Sequence, residues 1–461
     1  MSREKFESDS ASNHALFTDL YELTMMQGYL ETGHNPQVTF SLFFRTLPQN
    51  RGYIVAAGLA QVVEYLETLT FADEELDYLA GLEGPAFSEE FLSYLDGFEF
   101  TGDVRAVPEG TVVFPNEPLV EVTAPILEAQ LFETFLINQL SFQSLVATKA
   151  ARMRDTIREH GDGQSLVDFG SRRAHGTDAG LKAARAAYVG GFDGTSNVAA
   201  GRAFDLPVFG TMAHSWVQSF ETERESFEAF VSVYGEDSVL LVDTYDTVEG
   251  AKTAMAVADE LDVDIAGVRL DSGDLVSLSK QVAKIVGDSG IVVSSSVDEY
   301  AIAEFLTSEG VATGFGPGTA LVTSSDAPTL DTVYKLVAVE RDGELRPSMK
   351  LSTGKVTYPG QKSLRRVERD GQFERDVLGI RGEERLPGEE QLVEVFDAGS
   401  LVYSLPSLEA SRDRRADQLQ KLPGEVRAIR DPAEYRVGIS DGLQSMTERI
   451  RDELTEQYGA N

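Results

Sequence analysis

Apolar residues at Leu20, Leu23, Met26 and Leu30 recur at helical spacing, so the first regular element is a helix over Phe17 to Tyr29. Thr18 or Asp19 stands where it could cap that helix. Val38 to Arg45 alternates as a strand does, and Gly52 to Leu69 returns to the helical period. Between Thr101 and Ala124, short apolar runs are cut by Pro108, Gly110, Pro115 and Pro118, the punctuation of a small β unit. From Ile126 to His160 a long amphipathic stretch with few breakers predicts one or two helices leading into a second domain.

From Ser165 to Thr323 the pattern becomes a rhythm of short apolar strands, each followed by polar turn residues and usually by a helix. The strands fall at Ser165–Phe169, Gly191–Asp193, Val208–Thr211, Val239–Val242, Ile265–Arg269, Gly290–Ser294 and Thr313–Gly316. Helices are expected over Asp178–Tyr188, Val248–Glu260, Leu275–Ile285 and Asp298–Leu306. Such a run of β/α units predicts a closed barrel or a doubly wound sheet. After Val337 strands return at Thr332–Val339, Lys350–Tyr358 and Leu392–Val395, and from Ser407 the chain is helical. The expected fold is α/β: an irregular (β/α) barrel over 126–339, an N-terminal α+β, sandwich-like domain over 1–125 rejoined by about 340–400, and a helical C-terminal extension over 400–461.

Charge narrows the partners. Among 461 residues, 40 Lys+Arg face 76 Asp+Glu, a net charge of −36. The acids are scattered, as at Glu74, Glu75, Asp77, Glu383, Glu384, Glu389 and Glu390, so the surface is acidic throughout. That argues against wrapping nucleic acid and against docking on an anionic membrane. It suits a cytoplasm at high salt, where a short Debye length tolerates self-repulsion, and predicts a halophilic protein. No Cys is present, which excludes disulfides, thiolate zinc sites and cysteine nucleophiles. No apolar run reaches membrane-spanning length and the start, Met1 to Asp9, is charged, so a cytoplasmic protein is expected.

The residues with chemistry fall just after the strands. Of five His, His214 alone follows an apolar strand, in Gly210-Thr211-Met212-Ala213-His214-Ser215-Trp216. It is either a hydrogen-bonded core histidine or a nucleophile or acid/base group whose ring a carboxylate holds. Asp243, closing Leu241-Val242-Asp243, is the natural partner, because a carboxylate on one ring nitrogen leaves the other nucleophilic. Arg269 ends a buried strand and needs an anion: Asp271 or Asp274 in its own turn, or a ligand carboxylate or phosphate. Gly316-Pro317-Gly318-Thr319 offers backbone amides and a hydroxyl that could cradle phosphate, or could be only a turn. Asp168-Phe169-Gly170-Ser171-Arg172-Arg173 adds an aromatic and two cations at another strand end.

Together these segments resemble the nicotinate phosphoribosyltransferase family of type II phosphoribosyltransferases. The resemblance begins at Thr18-Asp19-Leu20-Tyr21-Glu22-Leu23-Thr24-Met25 and runs through the Asp168, Gly191–Asn197, Gly210–Ser215 and Arg269–Asp274 segments. It continues to Gly316–Thr319, Val333-Tyr334-Lys335-Leu336 and Lys350-Leu351-Ser352, in the family's order. It implies transfer of a 5-phosphoribosyl group from its 1-diphosphate to the ring nitrogen of nicotinate, with ATP as co-substrate, Mg²⁺ on the diphosphate, and a homodimer with shared active sites. It also implies that the histidine matching His214 is phosphorylated and hydrolysed during turnover.

By position, the resemblance assigns Tyr21, from the second subunit, and Phe169 to the pyridine ring, and Thr211 and Arg269 to the nicotinate carboxylate. Arg172, Gly316, Gly318, Thr319 and Ser295 would hold the phosphoribosyl diphosphate, the serine through its hydroxyl and amide. Asp243 would orient His214, and Asp271 would bind ribose hydroxyls or a hydrated Mg²⁺, with no side chain as a direct metal ligand. Ser196 stands where the amide-using relatives carry an acid, and a hydroxyl can donate to a carboxylate, so nicotinate is preferred over nicotinamide. Two departures stand out: Ser294-Ser295-Ser296 where the family usually has a glycine, and Pro317 within the phosphate loop. The rival activities are a quinolinate phosphoribosyltransferase, which needs no ATP, and a non-catalytic barrel that binds nicotinate.

Overall fold

The computed structural model describes residues 14–84, 86–351 and 357–459. It divides into two units, one comprising the described residues up to Ser144 and from Thr329 onward, the other Leu145–Pro328. The charged start, Ser352 of the Lys350-Leu351-Ser352 motif, and most of the strand expected over Lys350–Tyr358 lie outside the described residues. Among the described residues no helix is long and apolar enough to cross a membrane.

The first unit is built on a seven-stranded sheet in the order Glu344–Pro347, Thr332–Arg341, Gln37–Phe44, Val120–Pro125, Asp103–Ala106, Val393–Asp397, Ser400–Leu401. Gln37–Phe44 is buried along almost its whole length, so its polar positions need partners as well as its apolar ones. Thr39 finds one in Thr123 at 2.9 Å, and Gln361 donates to both hydroxyls. A four-stranded sheet, Glu389–Glu390, Lys362–Arg369, Gln372–Ile380 and Val437–Ile439, joins the first through the buried Lys362–Glu121 ion pair at 2.9 Å.

Several boundaries differ from the sequence expectation. The helix expected from Gly52 begins only at Leu59, because Ile54–Val55 pairs with Val112–Val113 and Gly58 turns at φ 105°. A Cβ on Gly58 would lie 2.7 Å from the Gln139 carbonyl oxygen, so only glycine fits that turn. The C-terminal extension is not purely helical: Val437–Ile439 adds a parallel strand to Gln372–Ile380 between helices Leu408–Lys421 and Asp441–Tyr458. It is anchored by Gln418, whose Oε1 accepts from Val112 N at 2.7 Å and from Arg366 Nη1 at 2.9 Å. The second unit comprises Leu145–Pro328, and Thr332–Arg341 pairs with Val38–Phe44 within the first.

The second unit holds six parallel strands in the order Gly194–Thr195, Ser165–Asp168, Gly314–Gly316, Gly290–Ser294, Gly267–Leu270, Val239–Leu241. Val208 bridges Thr195 at one edge. The strand expected at Val208–Thr211 is reduced to that bridge, and the one expected at Gly191–Asp193 sits at Gly194–Thr195. The last strand in sequence pairs with the first, and the other consecutive strands lie side by side except Gly194–Thr195 and Val239–Leu241, which stand at the two ends of the ladder, so the order is cyclic. A doubly wound sheet would instead reverse its order at a switch point. This is an irregular (β/α) barrel whose hydrogen-bonded ladder is open between Val208 and Val239 among the described residues. Away from the strand ends, Lys149 and Arg152 on helix Glu133–His160 bind the fully buried Glu299 at 2.6 and 2.8 Å.

Candidate active site

Parallel strands put all their C-terminal ends on one edge, and the residues singled out in the second unit all lie there. Strand Ser165–Asp168 delivers Asp168, completely buried, to the start of that edge. Its Oδ1 accepts from Gly170 N at 2.7 Å and its Oδ2 from the Thr195 hydroxyl at 2.8 Å. Burial pushes this carboxyl up, and those two donors pull it back. One side chain therefore ties the Phe169–Arg172 loop to the Ser196 loop, where Ser196 N also donates to Asp168 O at 2.8 Å.

Phe169 closes against the glycine loop. Its amide donates to Pro317 O at 2.9 Å, and a Cβ on Gly316 would come within 2.4 Å of its ring. Glycine at 316 is thus required by the close approach of the aromatic face. Pro317 removes an amide from this loop but supplies the carbonyl that holds Phe169. Gly318 and the exposed Thr319 lead into the short helix Thr319–Val322.

Arg269 and Thr211 come together: Arg269 Nη1 donates to Thr211 Oγ1. Burial lowers the guanidinium's pKa, Asp271 and Asp243 oppose that, and the like charge of Arg172 adds to it. Arg172 therefore acts on the same electrostatic centre from the opposite side of the strand order. Arg269 Nε is buried with no hydrogen-bond partner among the described residues, so part of its fork is open to an anion.

His214 opens helix His214–Gln218 and is partly exposed. The expected Asp243–His214 contact is not formed. Nδ1 lies 3.1 Å from Thr244 Oγ1, and Nε2 faces Asp271 Oδ2 at 3.9 Å. Asp243 Oδ2 instead accepts from Asp271 N at 2.9 Å and from the Ser272 hydroxyl at 2.7 Å. The strand ends at Leu241 and the chain bends at Thr244, and in that turn Asp243 meets the Asp271 loop while the Thr244 hydroxyl meets the imidazole. Asp271 is fixed in turn by Ser294 Oγ, which donates to its Oδ1 at 2.6 Å.

The serine loop shows why a glycine would suit it. Ser295 and Ser296 have φ of 73° and 52°, a left-handed backbone that side chains disfavour. Tyr21 belongs to the first unit, on helix Leu20–Glu31, where its ring is 46% exposed. Beside it, the fully buried Glu22 accepts from Asp19 N at 3.2 Å and Thr134 N at 3.2 Å, and burial pushes its carboxyl up to about 7. Sequence reasoning passed over Asp168 and Thr244 as site residues, although each stands close to a strand end.

Three family models match the chain: the nicotinate phosphoribosyltransferase N-terminal domain over residues 16–141, the nicotinate phosphoribosyltransferase family over 164–378, and the C-terminal domain over 384–447. A nicotinate phosphoribosyltransferase of Mycobacterium tuberculosis is 47% identical over 95% of this chain and 94% of its own length. One from Bacillus subtilis is 38% identical over 98% of this chain and 99% of its own. The crystal structure of human nicotinic acid phosphoribosyltransferase superposes with a TM-score of 0.82 at 31% identity, covering 94% of this chain and 99% of that one. A nicotinate-nucleotide pyrophosphorylase from Pyrococcus furiosus, 23% identical with a TM-score of 0.72 over 91% of this chain and 99% of that one, shares the fold.

Proposed function

The chain belongs to the nicotinate phosphoribosyltransferase family of enzymes, and on that premise we propose that it converts nicotinate and 5-phosphoribosyl 1-diphosphate to nicotinate mononucleotide and diphosphate, with coupled ATP hydrolysis through phosphorylated His214. What supports this most is the grouping of His214, Asp271, Arg269 and Thr211 at the strand ends of a parallel barrel. Arg269 and Thr211 hold the nicotinate carboxylate, and Ser196 donates where an acid would repel it. Phe169 and Tyr21 of the partner subunit sandwich the pyridine ring, which makes the working enzyme a homodimer.

The ring nitrogen attacks the ribose carbon as its bond to diphosphate breaks, leaving oxocarbenium-like charge on the sugar and the electron pair on the departing oxygen. Arg172, Ser295 and the amides of the Gly316–Thr319 loop stabilise that departing charge. Among the described residues no group of three or more His, Asp or Glu stands placed to hold a metal. Mg²⁺ would come with the substrate, keeping its waters and carried by the phosphates. When bound it neutralises the leaving diphosphate. Asp271 Oδ2 has no hydrogen bond among the described residues and is open to a ribose hydroxyl or to a water of that ion.

The net charge of −36 supports a halophilic enzyme working in a cytoplasm at high salt, feeding NAD synthesis. Replacing His214 with Ala abolishes the ATP coupling while leaving the fold intact. ATP turnover unchanged in that variant would overturn the phosphohistidine role.

A further inference from the structure

The hydroxyl at His214 Nδ1 has consequences for the chemistry of the ring. Asp243, the strand-end carboxylate expected to hold the ring, accepts through Oδ2 from Asp271 N and Ser272 Oγ, and its buried Oδ1 has no hydrogen-bond partner among the described residues; the group within hydrogen-bond distance of Nδ1 is the neutral Thr244 at 3.1 Å. On the other side, Asp271 Oδ2 stands 3.9 Å from Nε2, beyond hydrogen-bond reach. The imidazole is therefore held at one nitrogen and open at the other.

We propose that Thr244 is the positioning residue of His214, and that its hydroxyl holds the ring at Nδ1 without the charge a carboxylate would add. This rests on the phosphohistidine reading above. A carboxylate only accepts, so it would fix the Nδ1–H tautomer and stabilise an imidazolium. A threonine hydroxyl accepts from Nδ1–H or, rotated, donates to an unprotonated Nδ1. Attack by Nε2 on the terminal phosphoryl group of ATP uses the Nε2 lone pair and requires the proton on Nδ1, where Thr244 accepts it. The Nε2–P bond forms, the bond to ADP breaks, and its electron pair leaves on the ADP oxygen. Hydrolysis then adds water to phosphorus, releases orthophosphate and returns the lone pair to Nε2. A neutral partner gives no extra stabilisation to the charged phosphoimidazole, which keeps that intermediate short-lived.

The experiment compares Thr244→Ser, Thr244→Val and Thr244→Asp with the wild type, at a KCl concentration at which circular dichroism shows each chain folded. Three readouts are taken: steady-state kinetics, the ¹⁵N shifts of the His214 ring at one pH, and the lifetime of acid-labile phosphate on the protein after mixing with ATP. Thr244→Ser stays within about three-fold of wild type. Thr244→Val lowers kcat by roughly ten- to thirty-fold with both substrate KM values within about two-fold, as loss of one hydrogen bond to the ring requires. Its Nδ1 shift also moves away from that of a hydrogen-bonded nitrogen. Thr244→Asp shifts the ring toward the Nδ1–H tautomer and lengthens the life of the phosphorylated protein. Unaltered ring shifts in both the Val and Asp variants would overturn the proposal, as would a Val variant with wild-type kcat. Thr244→Ala replaces the valine variant if that chain does not fold. Because the ring shifts need no turnover, they decide the role of Thr244 even if the wild type makes no phosphohistidine; that second failure would count against the phosphohistidine reading alone.

Discussion

Arg269→Lys separates charge from shape at the proposed carboxylate site. The guanidinium spends Nη1 on Thr211, while its buried Nε has no partner among the described residues. Lysine keeps the positive charge but offers a point ammonium on a flexible stem in place of the planar fork. A hydrogen bond to a charged group is worth about 1.5–3 kcal/mol, so losing one arm of the fork weakens nicotinate by about 2 kcal/mol. That is roughly thirty-fold in the nicotinate KM, or in kcat/KM if the contact tightens in the transition state. The assay is initial-rate kinetics with nicotinate and phosphoribosyl diphosphate varied in turn. The expected outcome is the thirty-fold effect on nicotinate, with the phosphoribosyl diphosphate KM within about three-fold. An unchanged nicotinate KM, or equal weakening of both substrates, refutes the assignment of Arg269 to the carboxylate.

Three further outcomes are expected. Ser295→Gly relieves a left-handed backbone at φ 73° and raises stability by about 1 kcal/mol in a denaturant melt; a loss of stability would mean that the hydroxyl does more than the strain costs. Glu299→Gln removes the anion that Lys149 and Arg152 share, with side-chain exposures of 0% and 1%, while Lys149 keeps Asp326 at 2.7 Å, and lowers stability by about 3 kcal/mol; a change below about 1 kcal/mol would show that water reaches the cluster. Glu22 carries a carboxyl raised from 4.5 to about 7 by burial, so the folded chain holds that proton more tightly than the unfolded chain does. Its contribution is fully present below pH 4.5 and is lost as pH rises to about 7, by up to about 3 kcal/mol. Thermal melts of Glu22→Gln against wild type across that range should show the variant gaining on the wild type as pH rises; a pH-independent difference contradicts the assignment.

The barrel was legible because each β/α unit repeats the same two periods, and the strand-end positions of Arg269, Asp271 and His214 follow from that rhythm alone. Side-chain direction at a strand end was not legible. Asp243 and Thr244 are neighbours with different partners, and chemical type favoured the acid as the partner of His214 where the turn presents the hydroxyl. Asp168 escaped for a related reason: a buried carboxylate that only braces two loops has the same sequence signature as any acid in a turn. The short pairing at Val208 and the parallel strand Val437–Ile439 depend on partners distant in sequence, which local periodicity does not register.

The most direct measurement is product analysis by chromatography in strong KCl with Mg²⁺ and phosphoribosyl diphosphate, offering nicotinate, nicotinamide and quinolinate separately, each with and without ATP. The proposed function predicts nicotinate mononucleotide from nicotinate alone, increased by ATP and accompanied by ADP. Product from quinolinate only, or from nicotinamide in preference to nicotinate, would contradict it.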